Sequence, residues 1–544
     1  MNDHLDHFQT KLNHGGSGKG GGELSKKEAC GIVGIALTEG NAALPIFYAL
    51  YALQHRGQES AGIAVSSTVN EEVENEIGRK RDITLRKGMG LVYQVFSTQQ
   101  LESLKGNIGI GHVRYSTMGA SKLENAEPLL VNYREGKIAI VHNGNLVNAV
   151  ELRRELEREG RIFHSDTDTE VVAQLLAKEL MRHDPIEALK EVMKRVVGSY
   201  SLTILINNTL IAVRDPVGIK PLCVGEIKGG NGIAEGYVVA SESPAIDTLG
   251  GDLIRDVRPG EVLVINPPQG SSSREAEHQR ENQKHPSGFP IPSPLRDKDI
   301  GKKAGLKSYQ LYRCLNSAHC VFEYIYFARP DSILDGRLVY DVRMKIGERL
   351  AEEDDIEADI VSPVPDSGIT FAIGYAKRAG IDYMEGLIKN RYVGRTFIMP
   401  EQTSRDIAVR LKLSAVQANV AGKRVVLVDD SIVRGTTSRK IVDYLKRKGA
   451  KEVHLRIGSP PILAPCYLGI NTPTREELVA WKRSIDEIST FLNADSVRYL
   501  SLEGLIDSIG IEEKNLCLGC LTESYPVEIP GELCIVRQLK LTHF

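Results

Sequence analysis

Cysteine is scarce. Eight residues in 544, unevenly spaced, are too few to staple a chain of this size, so the thiols are expected to have individual chemical roles. Long apolar runs are missing too. No stretch approaches the roughly 20 residues that cross a bilayer, and Met1 to Glu28 contains no apolar signal core; a membrane partner and a secretory leader are therefore not expected, and the cytoplasm is the expected compartment. Net charge is small, −3, which gives no global basic field of the kind that gathers nucleic acid; any affinity for anions must be local. There is no internal repeat and no Walker A Gly-Lys-Ser/Thr signature.

What is present is ordinary soluble protein, 42% hydrophobic and 26% charged, in a chain too long for one core. Residues 1–29 form a polar, Gly- and Lys-rich tail that cannot bury enough surface to order itself. From residue 30 to 267, short β-rich runs alternate with turns and a few helices, which predicts stacked sheets under covering helices. Residues 268–308 lose periodicity and fill with Ser, Pro, Glu and Gln, reading as a polar linker or insertion. In 309–470, apolar runs such as Asp359 to Val364, Lys423 to Val428 and Glu452 to Ile457 alternate with helical pattern, the rhythm of a parallel α/β sheet. Residues 471–544 read as a helical C-terminal extension.

Cys30 opens the first domain at the head of an apolar run, Cys30-Gly-Ile-Val-Gly-Ile35. By itself such a cysteine is a small core residue. Removal of residues 1–29 would instead leave a thiol beside its own α-amine, whose reference pKa of about 7.7–8.0 suits it to accept the thiol proton. Nucleophile and base then share one residue. Further motifs follow in order: Leu53-Gln-His-Arg-Gly-Gln-Glu59, Gly111-His-Val-Arg-Tyr-Ser-Thr117, His142-Asn-Gly-Asn145 and Ser165-Asp-Thr-Asp-Thr-Glu170. Together they resemble the N-terminal-nucleophile glutamine amidotransferases, an α+β sandwich of αββα layers. The resemblance implies that Cys30 attacks the glutamine amide, Arg114 holds the α-carboxylate and Asp168 the α-amino group. It also assigns the oxyanion hole to the Asn143 side chain and the Gly144 N–H. A guanidinium fork suits a carboxylate and a carboxylate suits an ammonium, so the physics agrees. Taken alone, Asn143-Gly144 reads first as a hairpin turn, and only its company with Cys30 reverses that preference. His55 and Arg56 read as shaping the loop beside Cys30.

The second constellation is Lys423-Arg-Val-Val-Leu-Val-Asp-Asp-Ser-Ile-Val-Arg-Gly-Thr-Thr-Ser438. A buried strand delivers Asp429 and Asp430 to its carboxyl end, and a Ser/Thr/Gly loop then enters a helix, making a phosphate cradle. This resembles the type I phosphoribosyltransferases. The resemblance implies that phosphoribosyl pyrophosphate is bound by Asp429, Asp430, Ser431, Arg434, Gly435, Thr436 and Thr437, with Mg²⁺ near Ser367, Asp429 and Asp430. The turn Pro365-Asp-Ser-Gly368 is positioned to face pyrophosphate, and the basic stretch from Lys389 through Arg395 to Lys412 is expected to be a closing loop. A solvated basic face or a nucleic-acid patch is the alternative for that stretch.

Both domains in one chain, with Phe322-Glu-Tyr-Ile-Tyr-Phe-Ala-Arg-Pro-Asp-Ser332 between them, resemble the glutamine phosphoribosylpyrophosphate amidotransferases. That family implies glutamine and phosphoribosyl pyrophosphate as substrates, 5-phosphoribosylamine as product, purine nucleotides as feedback inhibitors and a homotetramer. In cluster-bearing members one cysteine precedes the Glu-Tyr-Ile-Tyr-Phe strand, one follows a Ser-Pro-Pro segment and two lie near the C-terminus. Here these are Cys320, Cys466, Cys517 and Cys520, a set chemically suited to a 4Fe-4S cluster or to zinc; the choice of iron-sulfur rests on the resemblance. Cys223, Cys314 and Cys534 match no motif. The long leader and the polar segment 268–308 depart from the usual pattern. Two rival readings are another N-terminal-nucleophile amidotransferase, such as a sugar-phosphate synthase, and a non-catalytic sensor of phosphoribosyl pyrophosphate.

Overall fold

The apolar run after Cys30 forms a strand, Gly31–Leu37, whose side chains feed two cores in turn: Ile32 and Ala36 on one face, Val33 and Ile35 on the other. A strand buried on both faces needs a partner layer on each side, and the chain supplies them. The computed structural model describes residues 30–66, 83–115, 120–229, 232, 234–267, 305–313, 316–390, 413–472 and 474–530. The leader, the closing stretch with Arg395, and Cys314 and Cys534 lie outside the described residues.

The strand sits inside a seven-stranded sheet ordered Gly251–Asp256, Cys223–Lys228, Ala234–Ala240, Gly31–Leu37, Ile108–Arg114, Ser60–Ser66 and Thr84–Met89. A six-stranded sheet runs Leu306–Gln310, Glu261–Ile265, Thr209–Arg214, Gly198–Ile206, Gly136–Leu146 and Leu129–Tyr133, and all neighbours in both sheets are antiparallel. Ile32, Ile108 and Ile110 meet Val141, Leu205 and Leu210 between the sheets. Helix Ala43–Ala52 covers one outer face, and helices Ala149–Arg158, Asp168–Glu179 and Pro185–Arg195 cover the other. The layers are αββα, as the resemblance implies.

The second domain has a parallel sheet ordered Ile360–Pro363, Arg424–Asp429, Glu452–Ile457 and Ser496–Tyr499. Val426 and Val428 face helices Val339–Glu352 and Ile369–Ala379, while Val425 and Leu427 face helices Thr436–Arg447 and Ile485–Leu492. Each of these four side chains is fully buried, worth about 1.5–3 kcal/mol apiece by transfer. That burial pins the register that carries Asp429 to the carboxyl end of the sheet.

Three sequence expectations need correction. Leu306–Gln310, which straddles the expected boundary between the polar linker and the second domain, is the edge strand of the six-stranded sheet, with Leu306 opposite Ile265 and Gln310 opposite Glu261. The segment 268–304 is therefore inserted between neighbouring strands of the first domain. A five-residue edge strand bearing an exposed Lys307 adds little apolar signal to the polar stretch before it. Ser496–Tyr499 completes the second sheet, so that domain extends beyond residue 470. Glu323–Phe327, whose aromatic and β-branched content suggests a strand, is a turn of π-helix. Burial of the Glu323 carboxylate against Arg56 anchors that turn.

Candidate active sites

Cys30 lies at the mouth of the antiparallel ladder in which Gly31 faces Val113, so the thiol stands next to the Arg114 segment. It is buried, 9% exposed, and its Sγ donates to the Tyr115 carbonyl at 3.3 Å. Arg56 Nε donates to the Cys30 carbonyl at 3.0 Å, and its other nitrogens hold Glu242 and Glu323. His55 Nε2 meets Glu242 at 2.9 Å. Both residues therefore brace the loop beside Cys30, and Arg56 also ties the Cys30 backbone to Glu323.

Asn143, Gly144 and Asn145 are ladder residues opposite Ser201, Tyr200 and Ser199, which removes the hairpin-turn reading. Both polar atoms of the Asn143 side chain are buried without a hydrogen-bond partner among the described residues. An amide left this way costs free energy unless a ligand completes it, so its orphaned donor is the clearest mark of a binding group in the first domain. Gly144 has φ +155°, and a Cβ there would lie 2.1 Å from the Ser199 carbonyl oxygen; only glycine fits. Asp168 begins a buried helix, and its Oδ2 accepts from the Leu146 N–H at 2.9 Å. Burial would raise this carboxyl, but His142 and the Leu146 N–H outweigh it and hold Asp168 below its ordinary value, ionised and suited to an ammonium. Arg114 is held by Glu59 at 2.8 Å.

Sequence reasoning missed Glu127. Its carboxylate accepts from the His142 N–H at 2.8 Å and the Thr169 hydroxyl at 2.6 Å, behind the candidate oxyanion strand. No motif surrounds it; only the fold brings it there. Burial pushes Glu127 up to about 7, and burial followed by the Glu127 charge pushes the Cys30 thiol up to about 12. An acid raised in the folded state holds its proton longer there, so its stabilising contribution is complete at low pH and is lost as pH rises through about 7. Glu127→Gln is expected to flatten the fall in stability between about pH 4.5 and 7 by up to about 1.4 kcal/mol per pH unit. Urea denaturation of both proteins across that range is the measurement, and parallel curves would contradict the assignment.

The second site gathers at the carboxyl ends of two adjacent parallel strands. Asp429 and Asp430 are buried, Asp429 Oδ1 accepts from the Asp430 N–H at 2.9 Å, and the Ser431 hydroxyl donates to Asp430. Gly435, with φ +76°, turns the chain into helix Thr436–Arg447, where Thr436 and Thr437 are exposed at its N-terminus. That leaves positive helix-end N–H groups facing outward, suited to a phosphate. Ser367 lies in the turn that follows the neighbouring strand, which the Val364 N–H pins to the Val428 carbonyl at 2.8 Å. Lys389 reaches the same turn and donates to Asp366 at 2.6 Å. Arg434 instead pairs with Glu477 at 3.0 Å, an acid that carried no sequence signal. Two carboxylates and a hydroxyl are oxygen donors of the kind Mg²⁺ shares with substrate phosphates.

The four cysteines come together from distant segments. Cys320 and Cys517 are opposite one another in a two-residue parallel ladder, and the Leu463 and Ala464 N–H groups donate to the Cys520 carbonyl, bringing in Cys466. Burial pushes Cys320 up to about 11 and raises Cys517 and Cys520 as well, and the charges of the other cysteines add to each. Thiolates so buried need a cation to exist. Among the described residues no three His, Cys, Asp or Glu side chains are gathered tightly enough for one metal ion. Four thiolates are a donor set of the kind that 4Fe-4S clusters and zinc both take. Cys223 is a buried core thiol that donates to the Ala240 carbonyl at 3.3 Å.

The domains meet at the first site. Asn145 Nδ2 donates to the Tyr467 carbonyl and the Ser199 hydroxyl to the Leu468 carbonyl, both at 2.9 Å. Arg343, buried on helix Val339–Glu352, donates to the carbonyls of Tyr324 and Ala328 and feels the charge of Asp430. Among the described residues no helix is long and apolar enough to cross a membrane.

A glutamine amidotransferase domain model matches residues 112–248, and a phosphoribosyl transferase domain model matches 330–457. The chain is 50% identical to an amidophosphoribosyltransferase of Archaeoglobus fulgidus, over 93% of this chain and 99% of that one. It is 49% identical to its Methanocaldococcus jannaschii counterpart, over 94% and 100% respectively. Among solved structures, the glutamine phosphoribosylpyrophosphate amidotransferase of B. subtilis, complexed with ADP and GMP, superposes with a TM-score of 0.78 at 43% identity, covering 92% of this chain and 98% of that one.

Proposed function

The chain belongs to the amidophosphoribosyltransferases, and from that premise we propose which of its residues carry each half of the reaction. It is a pentosyltransferase with glutamine amidotransferase activity, which converts glutamine and phosphoribosyl pyrophosphate to 5-phosphoribosylamine, pyrophosphate and glutamate, the first step of purine synthesis. A sugar-phosphate synthase is set aside by the phosphoribosyl transferase match, and a non-catalytic sensor by the family.

In our reading, removal of residues 1–29 frees the Cys30 α-amine. That amine takes the thiol proton, which burial otherwise holds in place, and the sulfur attacks the glutamine amide carbon. Arg114 and Asp168 orient the substrate's charged ends. The oxyanion is met by the Asn143 amide and the Gly144 N–H, ammonia leaves, and water hydrolyses the thioester to glutamate. Ammonia then attacks the ribose carbon that carries pyrophosphate. Asp429 and Asp430 hold the ribose hydroxyls; Ser431, Gly435, Thr436 and Thr437 hold the 5-phosphate; and the Ser367 turn with Lys389 faces the leaving group. Arg434 joins them on release from Glu477, and Arg395 through the closing stretch. Mg²⁺ held by Ser367, Asp429 and Asp430 would neutralise the departing pyrophosphate. Cys320, Cys466, Cys517 and Cys520 would hold a structural 4Fe-4S cluster, since neither half-reaction transfers electrons. Purine nucleotides are the proposed feedback ligands and a homotetramer the proposed assembly, in a cytoplasmic enzyme.

The observation that supports the first half is the Asn143 amide, buried and without a hydrogen-bond partner among the described residues, next to a Gly144 whose backbone only glycine fits. Asn143→Ala is expected to lower glutaminase kcat by about 10²–10³-fold with a small change in KM, because the donor acts on the developing oxyanion and not on bound glutamine. Steady-state glutamate release checks this. Equal rates would remove Asn143 from the mechanism.

A further inference from the structure

Lys220 is fully buried, yet its ammonium has no hydrogen-bond partner among the described residues. An ammonium has three donors and is among the most costly groups to leave incomplete in a dry interior. The nearest carboxylate, Glu323, is 3.7 Å from Nζ, and both of its oxygens already accept from Arg56 at 2.8 and 2.9 Å. The Phe327 ring lies 5.4 Å away and offers only a weak cation–π contact. Other groups within electrostatic reach of the ammonium include Cys320 and Cys466, members of the four-cysteine group, and in turn its charge favours the thiolates of Cys320 and Cys517. Its direction is constrained: Gly469, with φ +100°, passes so close that a Cβ there would lie 2.9 Å from the lysine Cε. The stem cannot swing aside without moving the segment that follows Cys466.

We propose that Lys220 is the counter-charge and hydrogen-bond donor of the four-cysteine group, completing its N–H bonds on the sulfurs of the cluster those cysteines hold. The inference rests on the cluster reading above and adds a positioning residue supplied by the glutaminase domain. An assembly of four thiolates carries negative charge into a low-dielectric interior, and one buried ammonium both offsets that charge and fixes the sulfurs. The residue lies in the loop between strands Thr209–Arg214 and Cys223–Lys228, far in sequence from every proposed ligand, so the cluster would bind the two domains together through it.

The test uses the full chain purified without air, as wild type, Lys220→Met and Lys220→Arg. Iron and acid-labile sulfide are measured, then the decay of visible absorbance in air, with circular dichroism to establish folding. Loss of the positive donor is expected to speed bleaching by about tenfold or more, or to lower iron content to match, with Arg restoring most of the wild-type behaviour. A folded Lys220→Met that loads and bleaches like wild type overturns the inference and leaves the cysteine assignment standing. Wild-type protein without iron and sulfide overturns the cluster reading and this inference with it. Should the Met variant fail to fold, Lys220→Gln, which keeps two N–H donors without the charge, is read by the same rates; wild-type bleaching there rejects the counter-charge role.

Discussion

Cys30→Ala is expected to lower glutamine-dependent synthesis by about 10⁴-fold or more while ammonia-dependent synthesis stays within about twofold of wild type. The reason is local. The Cys30 side chain's hydrogen bond is the weak Sγ donation to the Tyr115 carbonyl, whereas the backbone is held independently by Arg56 at its carbonyl. Alanine therefore removes the thiol and leaves the strand in place. Product formation measured with each nitrogen source separates the two half-reactions. Loss of both in a folded variant would contradict two separate sites. The same preparation bears on the base: the active chain is expected to begin at Cys30 by intact mass, and full activity with residues 1–29 attached would reject the α-amine as proton acceptor.

Replacing both Asp429 and Asp430 by asparagine is expected to have the opposite pattern, lowering synthesis from glutamine and from ammonia alike by about 10²–10³-fold. Asparagine keeps size and some hydrogen bonding, and the strand beneath, Val425 to Val428, is fully buried, so the sheet persists. What disappears is the negative charge proposed to hold a cation and ribose hydroxyls at the carboxyl end of the sheet. Hydrolysis of glutamine at Cys30 is expected to continue, because its chemistry lies in the other domain. Wild-type synthesis from ammonia in the double variant would dismiss the acid pair as the ribose site.

The readable parts of this molecule were those where function needs consecutive residues. The acid pair follows a hydrophobic strand, the Ser/Thr/Gly loop follows the acids, and the apolar spacing of Ile441, Val442 and Leu445 places one buried helix face beyond them. Local sequence carries such units because strand, turn and helix cap are local physics. Glu127, Lys220, Glu477 and Arg343 were not readable in this way. Each is a single charged residue in an undistinguished run, and each matters through what the fold sets against it: His142 and Thr169, the cysteines, Arg434, and the Tyr324 carbonyl. Leu306–Gln310 was misread for a related reason, since an edge strand takes its identity from the neighbour it pairs with, here Glu261–Ile265.

The amino-acid sequence alone determined the order of the two domains, the candidate nucleophile Cys30, the acid pair and the four candidate cluster thiols, because each depends on residue type and on spacing along the chain. Tertiary structure decided that Asn143 lies in a ladder with its amide unpaired among the described residues, that Arg56 joins the Cys30 backbone to Glu323, and that the Cys466 to Gly469 segment rests on the strand of Asn145 and its neighbour at Ser199. Those facts concern groups up to 322 residues apart, as in the bond from Asn145 to Tyr467. Charges and unmade hydrogen bonds acquire their energy from burial, and burial exists only once both sheets and both domains have closed around them.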